Sequence, residues 1–155
     1  MGLDMYLGAK RYLYRFHFDK EEEDKEKYDK FIKALAEFLP ETEKYRMDEL
    51  DFCLIYWRKA NAIHKWFVDN VQDGVDECRE HDVLREKLQE LRDLCLKVLD
   101  NKDLAQELLP TKSGFFFGDT AYDEYYFAML KFTAEEIEKV LELPDGYYFY
   151  YRSSW

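Results

Sequence analysis

Three side chains at turn-length spacing offer this chain its best prospect of chemistry: Trp57, Asn61 and His64. Read on one helix, an indole plane, an amide and an imidazole stand on successive turns, with Arg58 and Lys59 close by. Such a stripe suits a planar or phosphorylated ligand. Trp57 would stack, Lys59 or Arg152 would meet negative charge, and Asn61 and His64 would read polar edges. His64 can serve as a general base if a carboxylate orients it. The competing reading is that Trp57 and His64 border the core with their polar atoms satisfied, since short matches on one helix are weak signals.

A second constellation is the loop Thr111-Lys112-Ser113-Gly114-Phe115-Phe116-Phe117-Gly118-Asp119-Thr120. Its two glycines can bring backbone N–H groups close to an anion. Lys112-Ser113 has the residue types of a phosphate loop, but the glycine spacing is wrong and no strand precedes it. Three consecutive phenylalanines better suit a loop pinned into the core by Phe115, Phe116 and Phe117. With the C-terminal run Arg152 to Trp155, these blocks give a candidate ligand-binding set around one cleft: Trp57, Lys59, Asn61, His64, Ser113 and Arg152. Cys78 and His81 make half a zinc site without a second pair, so no metal is expected. No nucleophile elbow, dinucleotide fingerprint or His-Glu-x-x-His occurs, so no catalytic residue is assigned, no cofactor is expected and an enzyme is disfavoured.

The elements that must position these residues follow from periodicity. Leu3 to Phe18 alternates, with Tyr12, Tyr14, Phe16 and Phe18 on one side and Arg11, Arg15 and His17 between them, which predicts a strand with a bend or bulge at Gly8. After the charged run Asp19 to Lys25, Tyr28, Phe31, Ile32, Leu35, Phe38 and Leu39 trace one helix face that stops at Pro40. From Asp51 to Val71, the spacing of Tyr56, Ala60, Ile63, Phe67 and Val71 predicts a helix carrying the Trp57 stripe on its shoulder. Asp73-Gly74 is a turn.

A third helix is expected from Asp82 as N-cap, with Leu84, Leu88, Leu91, Cys95 and Val98 in its core stripe; Leu104, Leu108 and Leu109 extend apolar contact to Pro110. A fourth carries Tyr122, Tyr126, Met129, Leu130, Ile137, Val140 and Leu141, unless Thr133 and Glu136 form a capping box that splits it. Tyr147 to Arg152 reads as a final strand. The expected fold is α+β: a small antiparallel sheet from the N- and C-terminal strands, paired with each other and packed against about four helices, in a single domain over 1–155.

Composition bounds the function. With 47% hydrophobic and 18% aromatic residues, the chain can bury a substantial core. Thirty-four acidic against 23 basic side chains give a net charge of −11, which disfavours nucleic acid and anionic membranes as direct partners. The acidity serves solubility, or else an acidic surface that competes for a nucleic-acid-binding protein. No apolar run approaches a membrane span, the start lacks a signal-peptide pattern, and Tyr6 stands where a myristoylation motif needs Ser or Thr. Three widely spaced cysteines read as reduced thiols, and the cytoplasm is the expected location.

Four blocks together carry a resemblance: Met1 to Leu7, Tyr56 to Val68 with its Trp-Arg-Lys-x-Asn-x-Ile-His-x-Trp pattern, Leu109 to Gly118, and Tyr150 to Trp155. They resemble an uncharacterised family of small bacteriophage and prophage proteins. The resemblance implies a bacterial host cell and a phage accessory role, and brings no activity with it. Two functions are then in view. One is a binding protein that blocks a host defence or nucleic-acid-processing protein. The other is a small-ligand site, nucleotide-like in its chemistry, or a small enzyme, built on Trp57, Asn61 and His64. The sequence leaves oligomeric state open.

Overall fold

The computed structural model describes residues 2–12, 21–39, 41 and 48–155. Four strands form one antiparallel sheet: β1 (Asp4–Tyr12), β2 (Glu49–Arg58), β3 (His81–Val83) and β4 (Tyr148–Ser154), in the order β2-β1-β4-β3. Five helices accompany it: α1 (Glu21–Leu35), α2 (Asn61–Asn70), α3 (Arg85–Asp100), α4 (Ala105–Leu108) and α5 (Glu124–Leu141), with a 3-10 turn at Lys102–Leu104. The class is α+β, and the first and last strands lie side by side as the sequence predicts. The chain divides into two compact units, Met1–Ala9 with Phe52–Trp155, and Lys10–Asp51.

The larger unit is built on alternation. Leu3, just before β1, and Met5, Leu7 and Ala9 within it are fully buried at every second residue. Phe149 and Tyr151 of β4, Ile55 and Trp57 of β2, and Val83 of β3 join them. In the β3–β4 pairing, His81 lies opposite Tyr151 and Val83 opposite Phe149. Helices α3 and α5 pack on one another through Leu88, Leu91, Cys95 and Val98 and through Leu130, Ala134, Ile137 and Val140, spaced three and four apart. Burial pushes the Cys95 thiol up to about 12, so it stays an inert apolar residue. Arg85 closes the end of α5 by donating to the carbonyls of Leu141 and Leu143 at 2.8 and 3.0 Å.

In the smaller unit, α1 begins inside the charged run and ends at Leu35. Tyr28 is buried, while Phe31, Phe38 and Leu39 are exposed. The predicted alternation at Tyr14, Arg15, Phe16, His17 and Phe18, and the stop at Pro40, lie outside the described residues.

Two expectations are corrected and one alternative is decided. The helix predicted over Asp51–Val71 is a strand followed by a helix, with the break at Lys59 and Ala60. Ile55 and Trp57 point inward while Tyr56 and Arg58 are exposed, so period two wins over the helical spacing that also fits these residues. Lys59 adopts a φ of 56°, in the left-handed region that ends a strand sharply. Trp57 therefore does not share a helix with Asn61 and His64.

Asp82 lies in β3 and caps nothing; α3 starts three residues later, behind an exposed Leu84. The last helix of the chain is unbroken, because Thr133 is buried and its hydroxyl donates back to the Met129 carbonyl at 2.7 Å instead of capping a new start. Asp123 is the true cap, its carboxylate accepting from the Tyr126 N–H at 3.0 Å. Among the described residues, no helix is long and apolar enough to cross a membrane.

Gly8 is needed for close packing: a Cβ there would lie 2.1 Å from Tyr150 Cζ. Gly8→Ala should lower stability to urea by about 1–3 kcal/mol through overpacking, and a Tyr150→Leu background should remove most of that loss.

Candidate functional site

The polar centre of the larger unit forms around His64. Helix α2 places it one turn in, on the face that also buries Ile63, Phe67 and Val68, so its ring lies wholly inside the protein. Stripping an imidazole of water favours the neutral form, and this outweighs the pull of Asp76, holding His64 below its ordinary pKa of 6.5. Both ring nitrogens are then satisfied. Nδ1 accepts from the Tyr151 hydroxyl at 2.7 Å, and Nε2–H donates to Asp76 Oδ1 at 3.0 Å. The Phe117 edge meets the ring at 5.1 Å, and Tyr151 stacks on Phe67 at 4.0 Å, nearly parallel.

Asp76 is the hub. Besides His64, its carboxylate accepts from Lys112 Nζ at 2.6 Å and from Trp155 Nε1–H at 3.2 Å. Its donors thus come from α2, from the loop before α5 and from the residue that follows β4. Partial burial raises its pKa, but the hydrogen bonds and charges of Lys112 and His64 together outweigh that, leaving the carboxyl below its ordinary 3.8. With the imidazole neutral, His64 contributes its Nε2–H hydrogen bond and Lys112 the formal charge beside Asp76.

Tyr151 is also fully buried, and desolvation keeps its phenol protonated far above neutrality, as a donor to His64 needs. Ser153 acts in the opposite direction, favouring the ionised phenol, and among the described residues its buried Oγ has no hydrogen-bond partner. The series runs from the interior at Tyr151 through His64 and Asp76 to the part-exposed Lys112.

Asn61 performs the second construction. Its amide group donates to the carbonyls of Phe117 and Asp119 at 3.1 and 2.7 Å and accepts from the Lys112 N–H at 3.2 Å. Those bonds tie both limbs of the aromatic loop to the start of α2. Gly114 lets the loop turn back on itself, since a Cβ there would lie 2.6 Å from the Phe117 ring. Gly118 takes a φ of 85°. Phe117 consequently enters the core, Phe116 is half-buried, and Phe115 is 95% exposed.

The candidate residues divide accordingly. Asn61 and His64 are buried and bonded within the protein. Trp57 is buried on the second strand, where its indole N–H donates to Thr133 Oγ1 at 2.9 Å. Lys59 and Ser113 are exposed. Arg152 is exposed on β4, with its guanidinium 4.5 Å from the centre of the Tyr6 ring. A cleft lined by Lys59, Asn61, Asp119, Asp123 and Tyr125, among others, has space of about 30 Å3, enough for one or two waters.

His81 bonds Glu77 at 3.0 Å, and among the described residues no three His, Cys, Asp or Glu side chains gather as metal ligands. Asp76, the most connected carboxylate here, carries no periodic sequence signal; its one hint is its place just beyond the Asp73-Gly74 turn. No family model, no curated protein and no solved structure matches the chain.

The depressed pKa of His64 fixes a sign. The unfolded chain takes up its proton near 6.5 while the folded chain resists, so His64 adds stability above that pH and withdraws it as pH falls. Stability should decline from about pH 6.5 toward pH 5, by up to about 1.4 kcal/mol per pH unit, and His64→Gln should flatten that slope. Asp76 adds its own loss only below about 3.8. Asn61→Ala should destabilise by about 1–3 kcal/mol and speed amide exchange at Lys112 over its rate in the native chain.

Proposed function

We propose that this chain acts by binding a protein partner, as a phage accessory protein that occupies a host defence or nucleic-acid-processing protein. One observation carries this reading: Phe115 projects almost fully into solvent from a loop whose neighbours are fastened on both sides. An aromatic ring held out on a rigid support loses little conformational freedom when it enters a pocket. Such rings supply much of the energy at protein interfaces.

The small-ligand alternative has less support. Trp57, Asn61 and His64 have their polar atoms engaged within the fold. The adjoining cleft has about 30 Å3, where ligand pockets run to roughly 300–1,000 Å3.

Acidic mimicry of nucleic acid is weakened along α3 and α5, where carboxylates alternate with cations in pairs such as Lys87–Glu90, Arg92–Glu138 and Lys131–Glu135. A surface of mixed sign presents no continuous phosphate-like array there. Contact through an anchoring ring fits these facts better than electrostatic imitation.

Native mass spectrometry of the tagged chain, gently purified from phage-infected host cells, tests the reading. A host protein should be retained by the native chain and reduced at least about tenfold by Phe115→Ala, with the melting temperature unchanged. A retained small molecule of a few hundred daltons, lost on His64→Ala, would move the assignment to the alternative.

A further inference from the structure

Beside the Phe115 loop, two exposed cations converge. Arg58 ends β2 and Lys59 follows it, both exposed. Their side chains fold over Gly2: a Cβ there would lie 3.7 Å from Nε and Nη2 of Arg58 and 3.6 Å from Cε of Lys59. Among the described residues neither makes an ion pair. The two are adjacent in sequence, in a chain whose net charge is −11.

Their placement is built into the backbone. Lys59 holds a left-handed φ of 56°, a conformation that non-glycine residues adopt at a cost of about 1–3 kcal/mol and that must be held by its surroundings. Its N–H donates to the Leu3 carbonyl at 2.8 Å, and the Leu3 N–H donates to the Phe116 carbonyl at 3.0 Å. Gly118, itself at positive φ, lies under the lysine stem, where a Cβ would come within 3.2 Å of Lys59 Cβ. Glycines on both sides thus leave a track for the aliphatic stem. The Arg58 carbonyl is held by the Tyr125 hydroxyl at 2.7 Å. The cations and the Phe115–Phe116 pair, whose rings meet edge-on at 4.7 Å, therefore share one support.

We infer that Arg58 and Lys59 receive a carboxylate cluster on the protein partner, next to the apolar recess that takes Phe115. This rests on the protein-binding reading above and names the chemistry of its partner. Charge complementarity selects an anion, and the exposed phenylalanine selects an apolar neighbour for it. The overall negative field opposes a polyanion such as nucleic acid or an anionic membrane, leaving a local acidic spot on a partner that is not itself strongly acidic.

A zero-length carbodiimide cross-link on the complex recovered with the tagged full chain tests this directly. Mass spectrometry should find Lys59 joined to an Asp or Glu of the partner. Lys59→Arg should abolish the link while keeping the complex. The pair Arg58→Ala and Lys59→Ala should weaken retention at least about tenfold with the melting temperature unchanged, and Lys65→Ala on α2 should not. A complex that forms without the link and ignores the double variant overturns this inference and leaves the protein-binding reading standing. Failure to retain any protein overturns both, as does a retained species removed by nuclease.

Discussion

An imidazole without access to water sets the terms for this fold. His64 can be buried because each nitrogen finds a partner, and the partner of Nε2, Asp76, can be partly buried because Lys112 neutralises it. An ionised carboxylate left alone in that place would be costly, as would an imidazole with an idle nitrogen. Satisfying them binds together segments far apart in sequence: the first turns of α2, the link after it, the loop before α5, and β4 with the residue beyond it. The polar centre thus specifies how aliphatic layers that could slide on one another must meet.

Asn61 extends that order to the surface. Its amide takes the place of a secondary-structure partner for a loop that has little regular hydrogen bonding of its own. The loop's glycines and its three phenylalanines then have distinct tasks. Gly114 and Gly118 allow the tight path, Phe117 pays into the core, Phe116 lies half-covered, and Phe115 faces outward. The interior and the proposed contact surface are joined through one asparagine and one histidine a single turn apart.

Much of the fold was legible in the sequence because its signals are local. The alternation of Leu3, Met5, Leu7 and Ala9, the three-and-four spacing of Leu88, Leu91, Cys95 and Val98, and the aromatic run at the C-terminal end each name their element. The stretch around Trp57 misled because its apolar residues satisfy period two up to Trp57 and helical spacing from Ala60 onward. A single backbone conformation at Lys59 divides the two, and nothing in a lysine announces a positive φ. Trp57, Asn61 and His64 drew attention as reactive types, yet their polarity is spent inside the molecule. Asp76 drew none, since its importance comes wholly from neighbours that the chain brings from elsewhere.

The order β2-β1-β4-β3 has a consequence for synthesis. The two middle strands come from opposite ends of the sequence, so β1 has its long-term neighbour on one side only after β4 has left the ribosome. Until then a strand with three fully buried apolar side chains has an unpaired flank, and the α3–α5 pair, whose contacts are nearer in sequence, has the opportunity to form first. The sheet is completed only when β4 arrives, and that flank stays open while everything between β1 and β4 is being made.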